Sequence, residues 1–253
     1  MLLFLPIRTH AFRERLPIGT LALIAVNLAV FAAQWAGVVD GAAWALTWGE
    51  ITPVAWLTSN FIHGSIVHVL GNMILLWCVG QILEGTIGPW RLWAVALSIG
   101  VVQCALEQVL FLGAEEGGSY GASAMVFGLL VTAAMWAPRS SVETVTMILF
   151  RFRRIELSIT ALASLFLGFE VVYAAAGLFT PSGAVLHLMG ALVALPIAYG
   201  ALRLGLVDCG GWDFLSLRER AKQEHAEAIR AERDALAARS RRKGRPADRD
   251  LRW

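Results

Sequence analysis

Charge is scarce in this chain. Of 253 residues only 16% are Asp, Glu, Lys or Arg, while 57% are hydrophobic and the mean hydropathy is +0.64. Soluble domains average about 25% charged and about 45–50% apolar residues. Disorder, a collagen-like chain and most soluble globular folds are therefore excluded. Cysteine is scarce too. Cys78, Cys104 and Cys209 lie within or just after apolar runs, with no CxxC and no metal spacing. A disulfide scaffold is excluded, and the three read as small buried hydrophobes or free thiols. No cleavable leader is expected, because the first apolar run follows a segment with Arg8, Arg13 and Arg15 and ends without a small-x-small site. There is no internal repeat. The charge that is present is segregated: residues 213–253 hold 12 of the 21 Lys and Arg and 8 of the 19 Asp and Glu. What precedes them has the charge density of a membrane domain.

A helix needs about 20 mostly apolar residues to cross a hydrocarbon core of about 30 Å. Six segments qualify, at 18–37, 64–84, 90–113, 121–137, 156–177 and 183–205. The fourth is short and follows the glycine-rich stretch Gly117 to Gly121, which predicts a helix starting below the membrane surface and fed by a buried loop. The connections alternate in charge. Arg8, Arg13 and Arg15 precede the first span, Arg91 lies between the second and third, and Arg139, Arg151, Arg153 and Arg154 lie between the fourth and fifth. The 38–63, 114–120 and 178–182 connections carry no base. By the positive-inside rule both termini face the cytoplasm. The expected organisation is a cytoplasmic segment at 1–17, a membrane domain at 18–205 and a charged tail at 206–253. Within that tail, Ser216 to Ser240 reads as a solvated helix with Glu219–Lys222 and Glu227–Arg230 pairs, ended by Gly244 and Pro246. Its Arg241-Arg242-Lys243 cluster suits anionic headgroups or a partner helix.

Strongly polar residues at membrane depth are costly, so each is a candidate site. The second span opens with His63, His68 and Asn72. His68 and Asn72 are four apart and share a helical face, with His63 slightly off that stripe. A metal reading needs i,i+3 or i,i+4 histidines and a third ligand, and the i,i+5 pair fits it poorly. The fourth span opens with Gly121-Ala122-Ser123-Ala124. A lone membrane serine is most often a packing residue, but this one lies in a first helical turn, where free backbone N–H groups can hold an oxyanion. The sixth span opens with His187, followed by Gly190 and Ala194 on one smooth face. Ser123 and His187 thus start helices that enter from the same side, and a Ser beside a neutral His is the minimum for an activated nucleophile.

These residues resemble the rhomboid intramembrane serine proteases over roughly 18–205. The resemblance rests on His63-x4-His68-x3-Asn72, Gly80-x3-Glu84-x3-Gly88, Gly121-x-Ser123 and His187-x2-Gly190, in that order and on matched spans. It implies an all-α, six-helix membrane bundle and an endopeptidase that cuts single-span membrane proteins near the outer end of their helix. Ser123 would be the nucleophile and His187 the base, a dyad without a third carboxylate. His68, Asn72 and the Ser123 N–H would hold the oxyanion, Gly121 would let the site loop approach closely, and Phe127 matches the place of an aromatic ring beneath the histidine. The chain departs from the family pattern at Ala124 and Ala194, where glycine is usual, and in lacking a Trp-Arg pair among Trp44, Trp48 and Trp56. A methyl at 124 is expected to crowd the oxyanion strand or narrow the substrate pocket.

Glu84 is expected to cap or tie loops at the inner face. Glu107 and Glu170 are expected to be hydrogen-bonded or to snorkel, and carry no assigned chemistry. No metal, nucleotide or other cofactor is expected. The expected partners are transmembrane protein substrates and membrane lipid, not nucleic acid, in a bacterial inner membrane. The competing readings are a rhomboid-like pseudoprotease that binds helices without cutting, suggested by Ala124, and a transporter or channel, for which Glu107 and Glu170 are too few to define a path.

Overall fold

The computed structural model describes residues 4–10, 16–148 and 151–243. The chain divides into two compact units, Met1–Asp213 and Phe214–Trp253. The second contains one charged helix, α9 (Phe214–Lys243), with the expected Lys222–Glu219 pair at 2.8 Å. Gly244 and Pro246, expected to end it, lie outside the described residues.

The first unit is a helical membrane bundle. Five of its helices are long and apolar enough to cross a bilayer: α1 (Ile18–Trp35), α4 (Ile66–Ile87), α5 (Pro89–Leu110), α7 (Ile159–Ala176) and α8 (Gly183–Arg203). The sixth expected span is α6 (Ser123–Trp136), whose 14 residues reach only about 21 Å at 1.5 Å per residue. Its shortness goes with its place. All but three of its residues are buried, and it packs on α4, α5, α7 and α8. A helix surrounded by protein need not match lipid thickness. Small residues set these contacts. A Cβ on Gly128 would meet the side chain of Ile99 and the carbonyl of Gly190, and one on Gly190 would collide with the Ala124 carbonyl. Backbones thus touch where α6 crosses α8. By contrast α1 and α7 bury few residues and present apolar surface outward.

The connections hold what a hydropathy scan passes over. The arginine-rich 138–155 connection is a hairpin, β4 (Ser141–Ile148) and β5 (Arg151–Ser158). β4 also pairs antiparallel with β1 (Phe4–His10), giving the sheet order β1-β4-β5. The fifth helix accordingly begins at Ile159, later than the expected 156, capped by the Ser158 hydroxyl accepting from the Ala161 N–H. The 38–63 connection folds into α2 (Gly41–Trp44), β2 (Leu46–Thr47), α3 (Ala55–Thr58) and a 3₁₀ turn (Ser59–Phe61). β2 pairs with β3 (Gly118–Ser119). Both pairings agree with the alternation of spans. β2 and β3 are separated by the span-length helices α4 and α5, and β1 and β4 by α1, α4, α5 and the shorter α6.

At the end of the bundle that carries the sheet, Glu84 meets the expectation set for it. Its carboxylate accepts from the Gly19 N–H (2.8 Å), the Thr20 N–H (2.7 Å) and the Thr20 hydroxyl (2.8 Å). The two N–H groups are orphan donors of the first turn of α1, for which Pro17 offers no side-chain cap. At the other end, α5 clamps the 38–63 connection. Glu107 accepts from the Trp48 indole (2.8 Å) and the Gln103 amide (2.7 Å). Gln108 accepts from the Trp56 indole (2.6 Å) and the Thr52 N–H (3.0 Å), and donates to the Thr47 carbonyl (2.8 Å). The clamp reaches the glycine-rich stretch through the Ser59 carbonyl, which accepts from the Gly121 N–H at 2.9 Å. That stretch is largely exposed rather than buried, so this pairing and the β2–β3 ladder hold it in place.

Candidate active site

Ser123 is the first residue of α6 and His187 lies in the first two turns of α8. Their helices cross closely, and both side chains line one cavity of about 550 Å³. The cavity is also lined by His68 and Asn72 from α4 and by Gly118, Ser119 and Tyr120 ahead of α6. The residue before α6, Ala122, supplies no side-chain cap. The first N–H groups of the helix are therefore left for whatever enters the cavity.

The His68/Asn72 stripe faces this point. A Cβ on Gly121 would stand 2.7 Å and 2.8 Å from Cε1 and Nε2 of His68, and 3.7 Å from Nδ2 of Asn72. Gly121 also has φ +116°, which side chains rarely adopt. Glycine is thus required here twice, by conformation and by the closeness of two donor side chains. The Asn72 Nδ2 is buried with no protein partner. A buried orphan donor is costly, and at the wall of a polar cavity it is a site waiting for an acceptor. His63 lies behind, off the cavity wall, its ring edge-on to His68 with centroids 5.0 Å apart. Its Nδ1 lies 3.3 Å from the Phe61 carbonyl. Burial, with the neighbouring His68 second, pushes its pKa down from 6.5 to about 4, so it is neutral at physiological pH.

His187 is held face to face on Phe127, centroids 4.3 Å apart and planes 7° from parallel. Phe127 is four residues after Ser123, one turn along α6, and is itself braced edge-on by Phe166 of α7 at 6.3 Å. Serine and imidazole are therefore referred to one rigid, buried helix. On its other side His187 has a neighbour that sequence reasoning passed over: Glu170 of α7, whose Oε1 lies 3.1 Å from Nδ1.

Ala124 departs from its expectation. It is buried and absent from the cavity wall, and its backbone abuts Gly190 of α8. Its side chain is thus not among those that line the cavity. All three cysteines are free and buried, as expected. Gln108 was also missed, although a polar residue beside Glu107 in an apolar run was the available signal.

This is a multi-pass membrane protein with a serine, an imidazole and unsatisfied donors gathered at one end of a helical bundle. The family model of the Rhomboid domain matches residues 50–204, and the chain belongs to the rhomboid family. It is 25% identical over 127 residues to a rhomboid protease GlpG of Photorhabdus laumondii, covering 49% of this chain and 45% of that protein. It is 37% identical over 90 residues to RHOMBOID-like protein 7 of Arabidopsis thaliana, covering 34% and 28%. It is 28% identical over 97 residues to the presenilin-associated rhomboid-like protein, mitochondrial, of Bos taurus, covering 38% and 26%. The chain thus spans less than half the length of each of these relatives.

Proposed function

We propose that this protein is an intramembrane serine endopeptidase that cleaves single-span membrane proteins near the outer end of their helix. The observation that carries the reading is one cavity lined by Ser123, His187, His68 and Asn72, with the Asn72 amide unpartnered. In this mechanism His187 takes the proton of the Ser123 hydroxyl as its oxygen attacks the scissile carbonyl. The oxyanion that develops is held by His68, Asn72 and the Ser123 N–H, donors already in place and so needing no reorganisation. Collapse of the tetrahedral species expels the amine, which receives the proton from His187. Water entering from the open end then hydrolyses the acyl-enzyme, with His187 again as base.

By the positive-inside rule the arginine-bearing connections support a topology with both termini in the cytoplasm and the cavity at the outer face. A bacterial inner membrane is in keeping with the GlpG relative of Photorhabdus laumondii, and fractionation of the native host tests it against the mitochondrial location named for the Bos taurus relative. A helix-binding pseudoprotease drew its support from Ala124, whose methyl lies away from the cavity.

Purified protein in detergent is incubated with a model transmembrane substrate and, separately, with a fluorophosphonate probe. Ser123→Ala should lose all cleavage and all labelling. His187→Ala should be as inert, and the double variant no worse than either, because the two act as a unit. Substantial cleavage by Ser123→Ala overturns the assignment.

A further inference from the structure

The carboxylate beside His187 lies on a helix that presents much apolar surface outward. On α7, Phe169, Val171, Val172 and Tyr173 are exposed, and the helix buries only Ile159, Leu162, Ala163 and Ala174. Between the exposed residues stands Glu170, only 17% exposed, with Oε1 3.1 Å from Nδ1 of a His187 side chain that is 22% exposed. A carboxylate at membrane depth is costly unless it has a partner. His187 Nδ1 is a buried atom with no aligned hydrogen-bond acceptor, so the two groups answer each other's need. The contact is short, but the oxygen lies off the line of the ring N–H. Hydrogen bonds of this kind are commonly misaligned before substrate binds and tighten afterwards.

The two neighbours of the imidazole fix different things. Stacking on Phe127 sets the plane of the ring, but a ring can still flip or change tautomer within its plane. An acceptor at Nδ1 removes that freedom, because it holds the proton there and leaves the Nε2 lone pair for the serine. We propose that Glu170 is a positioning residue for His187: its carboxylate accepts the Nδ1–H, selects the tautomer with a basic Nε2 and offsets the charge of the imidazolium formed when Ser123 gives up its proton. The proton moves only from the Ser123 oxygen to Nε2, and none passes to Glu170. The inference rests on the Ser123–His187 reading, and turns the expected dyad into a chain of three groups on α6, α8 and α7.

The test uses Glu170→Leu, which keeps an apolar side chain suited to a bilayer helix but has no acceptor, and Glu170→Asp, which keeps a carboxylate on a shorter stem. Wild type, both variants and Ser123→Ala are compared after thermal unfolding shows them equally folded. Four quantities are read: kcat and KM on the transmembrane substrate, the rate of fluorophosphonate labelling, and the His187 tautomer from ¹⁵N shifts of histidine-labelled protein. Glu170→Leu should lower kcat and labelling about 10²-fold, the scale of a positioned acid–base group, with KM unchanged. Its His187 should lose the Nδ1–H tautomer that dominates in wild type, and Glu170→Asp should recover part of both. Wild-type labelling and tautomer in Glu170→Leu overturn the proposal, and so does an effect on KM alone. Failure of the dyad reading looks different: wild type is then as inert as Ser123→Ala, and the tautomer comparison still decides whether Glu170 holds His187.

Discussion

Two clusters of buried polar groups, one around Glu84 and one around the cavity, are treated in opposite ways by the same fold. Around Glu84, at the sheet end, three donors from the first turn of α1, two N–H groups and the Thr20 hydroxyl, meet the carboxylate, and that cluster has what it needs, although the Ser140 hydroxyl beside β4 is buried without a partner. At the site end, Asn72 Nδ2, His63 Nε2 and His187 Nδ1 are buried without an aligned partner. A satisfied polar cluster stabilises; an unsatisfied one costs stability and persists where a ligand or a developing charge completes it. One fold thus carries a structural carboxylate and a chemical cavity, and hydrogen-bond satisfaction tells them apart where residue type does not. The family motifs include both His68/Asn72 and Glu84, so membership in a motif does not separate the roles either.

The largest effect expected from this contrast is at the site end. Asn72→Ala removes a donor that bonds nothing in the resting protein, so the melting temperature should move little. Turnover should fall about 10²–10³-fold with KM unchanged, the usual loss for one oxyanion donor. His68→Ala should behave likewise, and His63→Ala more mildly, since its ring stands behind His68. A His63→Ala that proves the slowest of the three would mean that the oxyanion sits elsewhere. The next effect belongs to the sheet end. Glu84→Ala strands three donors at the start of α1 and should cost about 4 kcal/mol of stability, while the cleavage rate per folded molecule stays near wild type. A kinetic defect in folded Glu84→Ala would erase the distinction between the ends.

The serine, both site histidines, the asparagine and Glu84 were legible because each is a polar residue in an apolar run, and such residues are few enough to weigh singly. Their depth followed from counting along helices. Helix rotation did not follow, because nothing in a lipid-facing pattern says which way an isolated glutamate turns. Glu170 is 17 residues from His187 in sequence, on another helix, and their meeting depends on how α7 and α8 pack. The hairpin was obscured for a different reason. Its strands, Ser141–Ile148 and Arg151–Ser158, alternate charged or polar with β-branched and apolar residues, a strand signature that a scan tuned to membrane spans reads only as a basic connection. Pairing with β1 lies beyond any local pattern.

His63 offers a smaller test of the same contrast, through pH. Its folded-state pKa of about 4 lies below the unfolded value of 6.5. Above pH 6.5 both states are neutral and its packing is fully stabilising. As pH falls from 6.5 towards 4 the unfolded chain takes a proton that the folded protein refuses, so stability declines, by about 3 kcal/mol in all. Below about pH 4 both states are charged and the loss levels off. Unfolding of the purified protein across this window should show the decline, and His63→Phe should flatten it. An identical slope in His63→Phe would assign the acid sensitivity to other groups.

The smallest effect is expected at Ala124, where the chain departs from the family pattern next to the nucleophile. If glycine is needed there for substrate to pass, Ala124→Gly should raise turnover. The geometry argues otherwise. The Ala124 methyl is outside the cavity wall and 6% exposed, and the contact that demands a glycine is made from the other side, where Gly190 lets α8 rest on the Ala124 carbonyl. The close approach of α6 and α8 is already achieved by Gly190 on α8 and Gly128 on α6, and a further removal at 124 gains no closeness. What glycine does add is backbone freedom in the first turn of α6, at about 1 kcal/mol in helix propensity, in the segment that must hold Ser123 still. Ala124→Gly should therefore melt slightly earlier and cleave no faster than wild type, as read by thermal unfolding and kcat on the same preparation. A clear rise in kcat would show that the methyl obstructs catalysis, and would move Ala124 from the helix contact to the list of groups that shape the cavity.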